Sequence, residues 1–277
     1  MNILKTVRLQ VFICGLTLVS IIVLLATSAF ALDDNLVLYF KFDEIAKDKV
    51  IDQSGVGNDG TIVGNVKEAD GKIDGGFIFG GQNDYVEVPD SESLDLTEVY
   101  TAAVWVNFSE ITGQRHQFFF DKGADDKNPG GWRLGKVMSG EIVWQIFKDG
   151  VWQPRLDAPN PPLEENKWYH AAVTRDNKGE TKIYLDGKMM ISSQLDAFVL
   201  PKSDSTLTVG GSALWVPSNM FIGTLDELLI YNGKALSENE IQNVMNGLGA
   251  SVNASGKITT TWGYIKQPGK RALTTTD

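Results

Sequence analysis

Short runs in which apolar and polar residues alternate recur along this chain, and an Asp-Gly dipeptide joins two of them. Asp186-Gly187 lies between the runs Lys182–Leu185 and Lys188–Ile191. A tight hairpin turn needs positive φ at its central residues, so Asp-Gly between two such runs is a strong hairpin signal. The pattern predicts antiparallel β-structure.

The same two-residue period is found over most of the sequence between residues 36 and 231. Two clear examples are residues 102–108 and 168–175, whose odd and even positions would lie on opposite faces of a strand. Eight more strands are predicted at 36–42, 76–80, 84–88, 117–120, 132–137, 141–147, 205–209 and 221–231. Since turns rather than helices separate these runs, the chain is expected to be all-β, with two antiparallel sheets packed as a sandwich.

One short helix is expected at the C-terminal end of this region. Ser237 and Glu240 have the spacing of a capping box, in which each side chain bonds the other residue's backbone N–H. Gly247 is typical of the position just after a helix end. The helix is therefore expected to run to Met245 or Asn246 and to act as a terminal clasp on the sandwich.

Residues 1–31 have the pattern of a secretory signal peptide. Lys5 and Arg8 form a basic start, an apolar stretch covers residues 11–26, and small residues precede Leu32. We expect cleavage before Leu32 and an extracytoplasmic protein, either secreted or on the cell surface. An uncleaved N-terminal anchor is the alternative.

The rest of the chain is expected to contain one domain and a tail. The domain covers residues 32–248, and the composition from 249 to 277 shifts to Ser, Thr, Gly and Lys, which is typical of a partly disordered segment. The single cysteine, Cys14, lies in the signal segment, so the mature chain can form no disulfide. A bound ion is a candidate for stabilising such an exported domain.

The charge balance restricts the partners of the chain. Its 277 residues include 25 Lys and Arg against 35 Asp and Glu, a net charge of -10. A protein that binds duplex nucleic acid or anionic lipid needs basic residues to neutralise phosphates. We therefore expect no nucleic-acid partner, and no membrane insertion once the signal segment is removed.

Several segments between residues 36 and 247 carry a resemblance to a known family. In chain order they are Leu38–Glu44, Asp52–Gly60, Phe77–Val86, Ala103–Val106, Trp168–Thr174 with Ile183–Lys188, and Gly223–Asn232. In this order they resemble the laminin G-like (LamG) jelly-roll domain family, within the concanavalin A-like lectin/glucanase superfamily. The resemblance implies a jelly-roll sandwich, whereas function must be argued from individual sites.

The resemblance also implies a structural Ca²⁺ ion near the edge of the sandwich. Calcium binds six to eight oxygens, and Asp52, Asn58 and Gly60 offer such oxygens in one Gly-rich loop. Asp43, at the end of the first strand, and Asp226, on the last strand, would complete the shell if those strands meet. The alternative is that Asp52 and Asn58 only form Asx turns.

A second acidic segment, residues 121–128, also contains oxygen ligands. It includes two lysines and lacks the spacing of an EF-hand loop. We expect this segment to be a solvated loop.

Catalytic residues are not expected. A glycoside hydrolase of this superfamily needs two carboxylates on one face of a strand, and no predicted strand contains such a pair. The neighbours Asp226 and Glu227 are expected to point to opposite faces. His170 is expected to have a structural, hydrogen-bonded role.

Sugar binding requires exposed aromatic rings with polar side chains beside them. Four tryptophans are predicted to lie in or near loops or on variable strands: Trp132, Trp144, Trp152 and Trp215. The expected function is therefore non-catalytic, lectin-like glycan binding. The alternatives are an adhesion module for an extracellular protein and, second, a glycoside hydrolase or polysaccharide lyase; the ligand and the oligomeric state stay open.

Overall fold

The computed structural model describes residues 33–111, 115–123, 130–148, 150–159, 161–195, 200, 202–212, 214 and 218–248. The predicted signal peptide at 1–31 and the predicted tail at 249–277 lie outside these ranges. No helix within them is long and apolar enough to cross a membrane.

The described residues form sixteen strands, one α-helix and a 3₁₀ turn. The strands are β1 (Leu36–Phe40), β2 (Lys49–Val50), β3 (Gly60–Val63), β4 (Lys67–Asp70), β5 (Gly75–Gly80), β6 (Tyr85–Val88), β7 (Tyr100–Phe108), β8 (Gln117–Lys122), β9 (Trp132–Lys136), β10 (Ile142–Lys148), β11 (Val151–Asp157), β12 (Trp168–Arg175), β13 (Glu180–Leu185), β14 (Lys188–Gln194), β15 (Leu207–Val209) and β16 (Ile222–Asn232). The helix α1 spans Glu238–Val244, and the 3₁₀ turn spans Glu92–Leu94.

The strands pair into two antiparallel sheets. The first sheet has the order β14-β13-β12-β7-β16-β5-β4, with β1 also paired to β16. The second sheet has the order β11-β10-β9-β8-β15-β6-β3-β2. The predicted all-β, two-sheet antiparallel jelly-roll sandwich with one short C-terminal helix is confirmed.

One apolar core lies between the two sheets. It takes every second residue of a strand, such as Val104 and Val106 from the first sheet and Leu134 and Ile146 from the second. The intervening residues of each strand must therefore lie on the outer faces.

Helix α1 covers part of the outer face of the first sheet. Ile241 and Val244 pack there against Ala103, Ala172 and Leu229. The predicted capping box is confirmed, because the Ser237 hydroxyl accepts a hydrogen bond from the Glu240 backbone N–H and the Glu240 carboxylate accepts one from the Ser237 backbone N–H.

The predicted hairpin is also confirmed. Asp186 has φ +51 and Gly187 has φ +72, the left-handed conformation that a primed two-residue turn requires. This turn joins β13 and β14 and places Leu185 opposite Lys188.

Four strands were not predicted: β2, β3, β4 and β11. Strand β11 contains Pro154, which argues against a central strand, but β11 lies at the edge of the second sheet, where the missing N–H of proline is tolerated. Strand β4 is almost entirely polar and also lies at an edge.

Candidate functional site

A row of polar side chains crosses four neighbouring strands of the second sheet. Arg155 on β11 lies opposite Gln145 on β10, which lies opposite Arg133 on β9, which lies opposite Asp121 on β8. Chain neighbours such as Trp144 belong to the core, so the four residues lie on the outer face. We call these four residues the outer polar row.

Arg133 is held rigidly at the centre of this row. Its Nε donates a hydrogen bond to the Gln145 Oε1 at 2.8 Å. Its guanidinium carbon lies 3.7 Å from the ring centre of Trp152 and 4.2 Å from that of Phe118. Burial lowers the pKa of Arg133 to about 10, so the side chain remains a cation at neutral pH.

Asp121 lies beneath Arg133 and is unusual for a buried carboxylate. It is 1% exposed, and its carboxylate oxygens make no hydrogen bond of standard geometry within the described residues, although the nearby Ser212 hydroxyl lowers its pKa. The Arg133 Nη1 is 3.9 Å from Asp121 Oδ2, which is beyond hydrogen-bonding distance. Burial raises the pKa of Asp121 to about 6, although the charge of Arg133 acts in the opposite direction.

Aromatic side chains border the row. Trp152 is half-buried, and its ring meets that of Phe147 edge to face at a centroid distance of 5.3 Å. His116 stacks on Phe118 at 5.9 Å, and burial lowers the pKa of His116. The site thus combines a partly exposed indole, a fixed guanidinium, an amide and a carboxylate.

Two of the predicted sugar-binding tryptophans are buried, whereas sugar binding requires exposed rings. Trp132 and Trp144 are fully buried on strands, and they stack on each other at 6.0 Å. The Nε1 of Trp132 donates to the Leu94 carbonyl oxygen at 3.3 Å, and the Nε1 of Trp144 donates to the Tyr100 hydroxyl at 2.9 Å. Neither ring can stack on a sugar because both fill the core.

Of the other two, Trp152 alone lies within the described part of the chain. It borders the outer polar row, whereas Trp215 lies outside the described residues. Gln145 and Arg155 were expected beside Trp144 and Trp152, whereas Arg133 and Asp121 were not expected in the site. Arg133 lies between the core residues Trp132 and Leu134, so the two-residue period indicated its place on the outer face.

The expectation of a solvated loop at residues 121–128 is wrong for its first two residues. Asp121 and Lys122 end strand β8 and are buried. The Lys122 ammonium donates to the Asp90 carboxylate and to the Ser205 carbonyl oxygen at 3.0 Å. Residues 124–128 lie outside the described ranges.

The structure divides the predicted calcium ligands into separate groups. Within the described residues, no three His, Cys, Asp or Glu side chains form a group suited to a metal ion. The Asp52 carboxylate organises its own loop by accepting hydrogen bonds from the Ser54 hydroxyl and from the backbone N–H groups of Tyr39, Ser54, Gly57 and Asn58. These contacts of Asp52 agree with the alternative expected from the sequence, in which this residue forms an Asx turn.

Asn58 and Gly60 are also engaged in structural contacts. The Asn58 amide donates to the Val37 carbonyl oxygen at 2.7 Å and to the Ser93 hydroxyl at 2.8 Å. A Cβ at Gly60 would clash with the Val86 side chain, so this glycine permits close packing in the core.

Asp43 is exposed at the end of the first sheet. Its carboxylate pairs with Lys41 at 3.1 Å and accepts the Gly75 backbone N–H at 3.2 Å. Its charge contributes to the raised pKa of Glu227, so these two carboxylates are electrostatic neighbours.

Asp226 is fully buried on β16. Its Oδ2 accepts the backbone N–H groups of Lys72 and Ile73, both at 2.8 Å, whereas its Oδ1 has no partner among the described residues. Burial raises the pKa of Asp226 to about 8, and the neighbouring charge of Glu227 also raises it.

Glu227 was predicted to point away from Asp226, and that prediction is wrong. Glu227 has φ +50, and the pairing of β16 with β7 shifts register at this point. Its Oε2 accepts the Tyr39 hydroxyl at 2.6 Å, whereas its Oε1 is buried without a partner among the described residues. Burial raises the pKa of Glu227 to about 7. The bulge brings both carboxylates to one buried place.

His170 lies close to this pair on the first sheet. Its ring meets that of Trp105 edge to face at 5.1 Å, and Trp105 is opposite Asp226 in the pairing of β7 with β16. Burial lowers the pKa of His170 to about 3, so the ring is neutral. Its Nδ1 has no hydrogen-bond partner among the described residues.

The family of the chain follows from a comparison with family models. A laminin G-type model, described as the concanavalin A-like lectin/glucanases superfamily, matches residues 79–242, which is more than half of the chain. The chain belongs to this superfamily. No curated protein matches the sequence.

Solved structures share the fold. Domain 4 of AbnA, a GH43 extracellular arabinanase from Geobacillus stearothermophilus solved in complex with arabinotriose, is 24% identical with a TM-score of 0.60, over 76% of this chain and 98% of that domain. An identity this low shows a common fold alone.

Binding domains of toxins share the fold as well. The binding domain of botulinum neurotoxin DC, in complex with rat synaptotagmin II, is 18% identical with a TM-score of 0.60, over 78% of this chain and 52% of that one. Botulinum neurotoxin type C, whose cell entry is dependent upon interaction with two ganglioside molecules, is 18% identical with a TM-score of 0.60. The match covers 80% of this chain and 53% of that one. The chain spans about half the length of these toxin chains.

Proposed function

We propose that this domain is a non-catalytic module that binds a neutral oligosaccharide on the outer face of the second sheet. The observation that carries the proposal is the Arg133 guanidinium, which is fixed between the rings of Phe118 and Trp152. A binding group that is already ordered loses little conformational entropy when the ligand arrives.

Each part of the site has a role in sugar recognition. The half-buried indole of Trp152 offers an apolar surface on which a pyranose or furanose ring can stack. Arg133 and Gln145 are 8% and 5% exposed, and the N–H groups that they leave at the surface can hydrogen-bond hydroxyl groups. Arg155, paired with Asp157, lies at the more exposed end of the row and extends the site.

The charges at the site favour a neutral ligand. The two guanidinium groups of Arg133 and Arg155 are matched by the two carboxylates of Asp121 and Asp157. A balanced set of donors and acceptors suits hydroxyl groups, whereas an anionic sugar would meet two carboxylates. The complex of the arabinanase domain with arabinotriose supports a neutral oligosaccharide as the ligand class.

We also propose that the protein acts outside the cytoplasm. The signal-peptide pattern of residues 1–31 supports export, and the arabinanase whose domain 4 shares the fold is extracellular. A protein ligand is the second candidate, because a toxin domain of the same fold was solved in complex with synaptotagmin II.

Affinity electrophoresis in gels that contain neutral polysaccharides tests the proposal. We expect arabinan or another neutral polysaccharide to retard the wild-type protein. Trp152→Ala should weaken the retardation about tenfold or more, because a central aromatic carries much of the free energy of binding. Met189→Ala, which changes an exposed side chain on the first sheet, is the control and should bind like the wild type.

Three outcomes would contradict the proposal. The first is equal retardation of the wild type and Trp152→Ala. The second is no retardation in any neutral polysaccharide together with retardation in an anionic one. The third is the release of reducing ends from a bound polysaccharide, which would show that the domain is an enzyme.

A further inference from the structure

The edge strands of the two described sheets differ in how well they resist pairing with another strand. Three of the four residues of β4 are charged, β11 contains Pro154, and β2 has two residues, one of which is Lys49. Charge, proline and shortness all discourage an edge from pairing with another strand. The fourth edge, β14, has seven residues without proline, and its charged side chain, Lys188, is at its first position.

Strand β14 is paired along one side. Within the described residues its neighbour is β13, so the backbone groups on its other side have no strand partner there. Such an edge is a template for one more extended segment, which would gain main-chain hydrogen bonds. A strand of seven residues is about 23 Å long.

A groove lies beside β14 on the outer face of the first sheet. It has a volume of about 490 Å³ and is bordered by β13, β14 and the residues that lead into α1. Met189 of β14 offers an apolar side chain there and is 50% exposed. The charged residues of the lining are three acids and one base, namely Asp176, Glu180, Glu238 and Lys182. The base is already paired with Glu180 at 2.9 Å, so this acidic groove suits an occupant that carries aromatic and basic side chains.

The C-terminal tail contains a segment of this character. Residues 257–265 read Lys-Ile-Thr-Thr-Thr-Trp-Gly-Tyr-Ile, and they lie outside the described ranges. Threonine, isoleucine and aromatic residues favour strands, and Ile258, Trp262 and Tyr264 would share one face of such a strand. The sequence therefore predicts a strand with an apolar face and a basic first residue.

The tail and the domain carry opposite charges. Residues 249–277 contain four Lys and Arg against one Asp, whereas residues 32–248 contain 19 basic and 34 acidic residues. Lys257 and Lys266 stand at the two ends of the segment. Charge complementarity therefore favours contact between the tail and the acidic groove.

The tail also begins close to β14. The Gln242 Nε2 of α1 donates to the Gly187 carbonyl oxygen at 3.2 Å, in the turn that leads into β14. The described chain ends soon after this contact, at Leu248. Eight residues separate Leu248 from Lys257, and eight extended residues span up to about 26 Å, which is longer than β14 itself.

We propose that residues 257–265 of the tail add a strand to the free edge of β14, with the aromatic face of the segment towards the acidic groove. The added strand covers the one sheet edge that lacks charge, proline or shortness as protection, and so prevents that edge from pairing with a second copy of the chain. This contact concerns the first sheet and is independent of the proposed sugar site.

Hydrogen–deuterium exchange of the full-length protein tests the proposal. Thr259→Pro with Thr260→Pro removes two consecutive N–H groups, which point to opposite sides of a strand, so one of them faces β14 in any register. We expect amides of β14 and of residues 261–265 to exchange about tenfold or more faster in this double variant than in the wild type. Thr274→Pro with Thr275→Pro makes the same change outside the segment and is the matched control, which should exchange like the wild type.

The inference is overturned if residues 261–265 of the wild type exchange as fast as an unstructured peptide, a result that requires no variant. It is also overturned if β14 exchanges equally in the wild type and in Thr259→Pro with Thr260→Pro. Protection of β14 that disappears when the wild type is diluted a hundredfold would contradict it as well, because the added strand would then come from a second copy.

Discussion

Asp121 shows how a single buried group links the stability of the domain to pH. Its pKa is raised from 3.8 to about 6 because burial disfavours the charged form. The folded state therefore holds the proton more tightly than the unfolded state. The stability that this group supplies is complete below about pH 4 and is lost as the pH rises towards 6.

Replacing Asp121 with Asn should remove this pH dependence. We expect Asp121→Asn to unfold with a free energy about 1–3 kcal/mol higher than the wild type at pH 8, with the difference falling to near zero at pH 4. Urea denaturation at pH 4, 6 and 8 measures this difference in the free energy of unfolding. A variant that is equally or less stable at pH 8 would contradict the assignment.

Arg133 provides a second test at the scale of one residue. Arg133→Lys keeps the positive charge but loses the planar group that lies between Phe118 and Trp152. We expect affinity for a neutral oligosaccharide to fall about tenfold or more, while far-ultraviolet circular dichroism stays unchanged. Isothermal titration calorimetry gives the affinity, and an unchanged Kd would show that the charge alone matters.

The sequence predicts which face of a strand a side chain occupies, but not which side chains it meets on other strands. The alternation Trp132-Arg133-Leu134 contains enough information to put the tryptophan in the core and the arginine outside. The meeting of Arg133 with Gln145 and Asp121 is not encoded locally, because it depends on which strands pair and in which register.

Among the elements, helix α1 and the hairpin at Asp186-Gly187 were predictable because their signals are local. A capping box and a primed turn each need only a few consecutive residues. The bulge at Glu227 was not predictable. It arises where β16 exchanges β5 for β1 as its neighbour, which is a property of the whole sheet.

The cap of α1 gives a prediction at this scale. Ser237→Ala removes the hydroxyl that accepts the Glu240 backbone N–H and should lower the free energy of unfolding by about 1 kcal/mol. Ser237→Asp keeps an acceptor at the N-cap and should restore most of that loss. Equal stability of wild type and Ser237→Ala in urea denaturation would mean that α1 does not depend on its cap.

The whole molecule is a sandwich whose two outer faces differ. Helix α1 covers part of the outer face of the first sheet, whereas the second sheet carries the outer polar row. The stacking of two antiparallel sheets was predictable from the period of the sequence. The difference between their outer faces was not predictable, because it depends on long-range packing.

The most direct test of the account is a crystal structure of the domain with a neutral oligosaccharide that it retains. We expect a sugar ring stacked on Trp152, with hydroxyl groups hydrogen-bonded to the terminal nitrogens of Arg133. An oligosaccharide bound on the first sheet, or at a place remote from β8–β11, would contradict it.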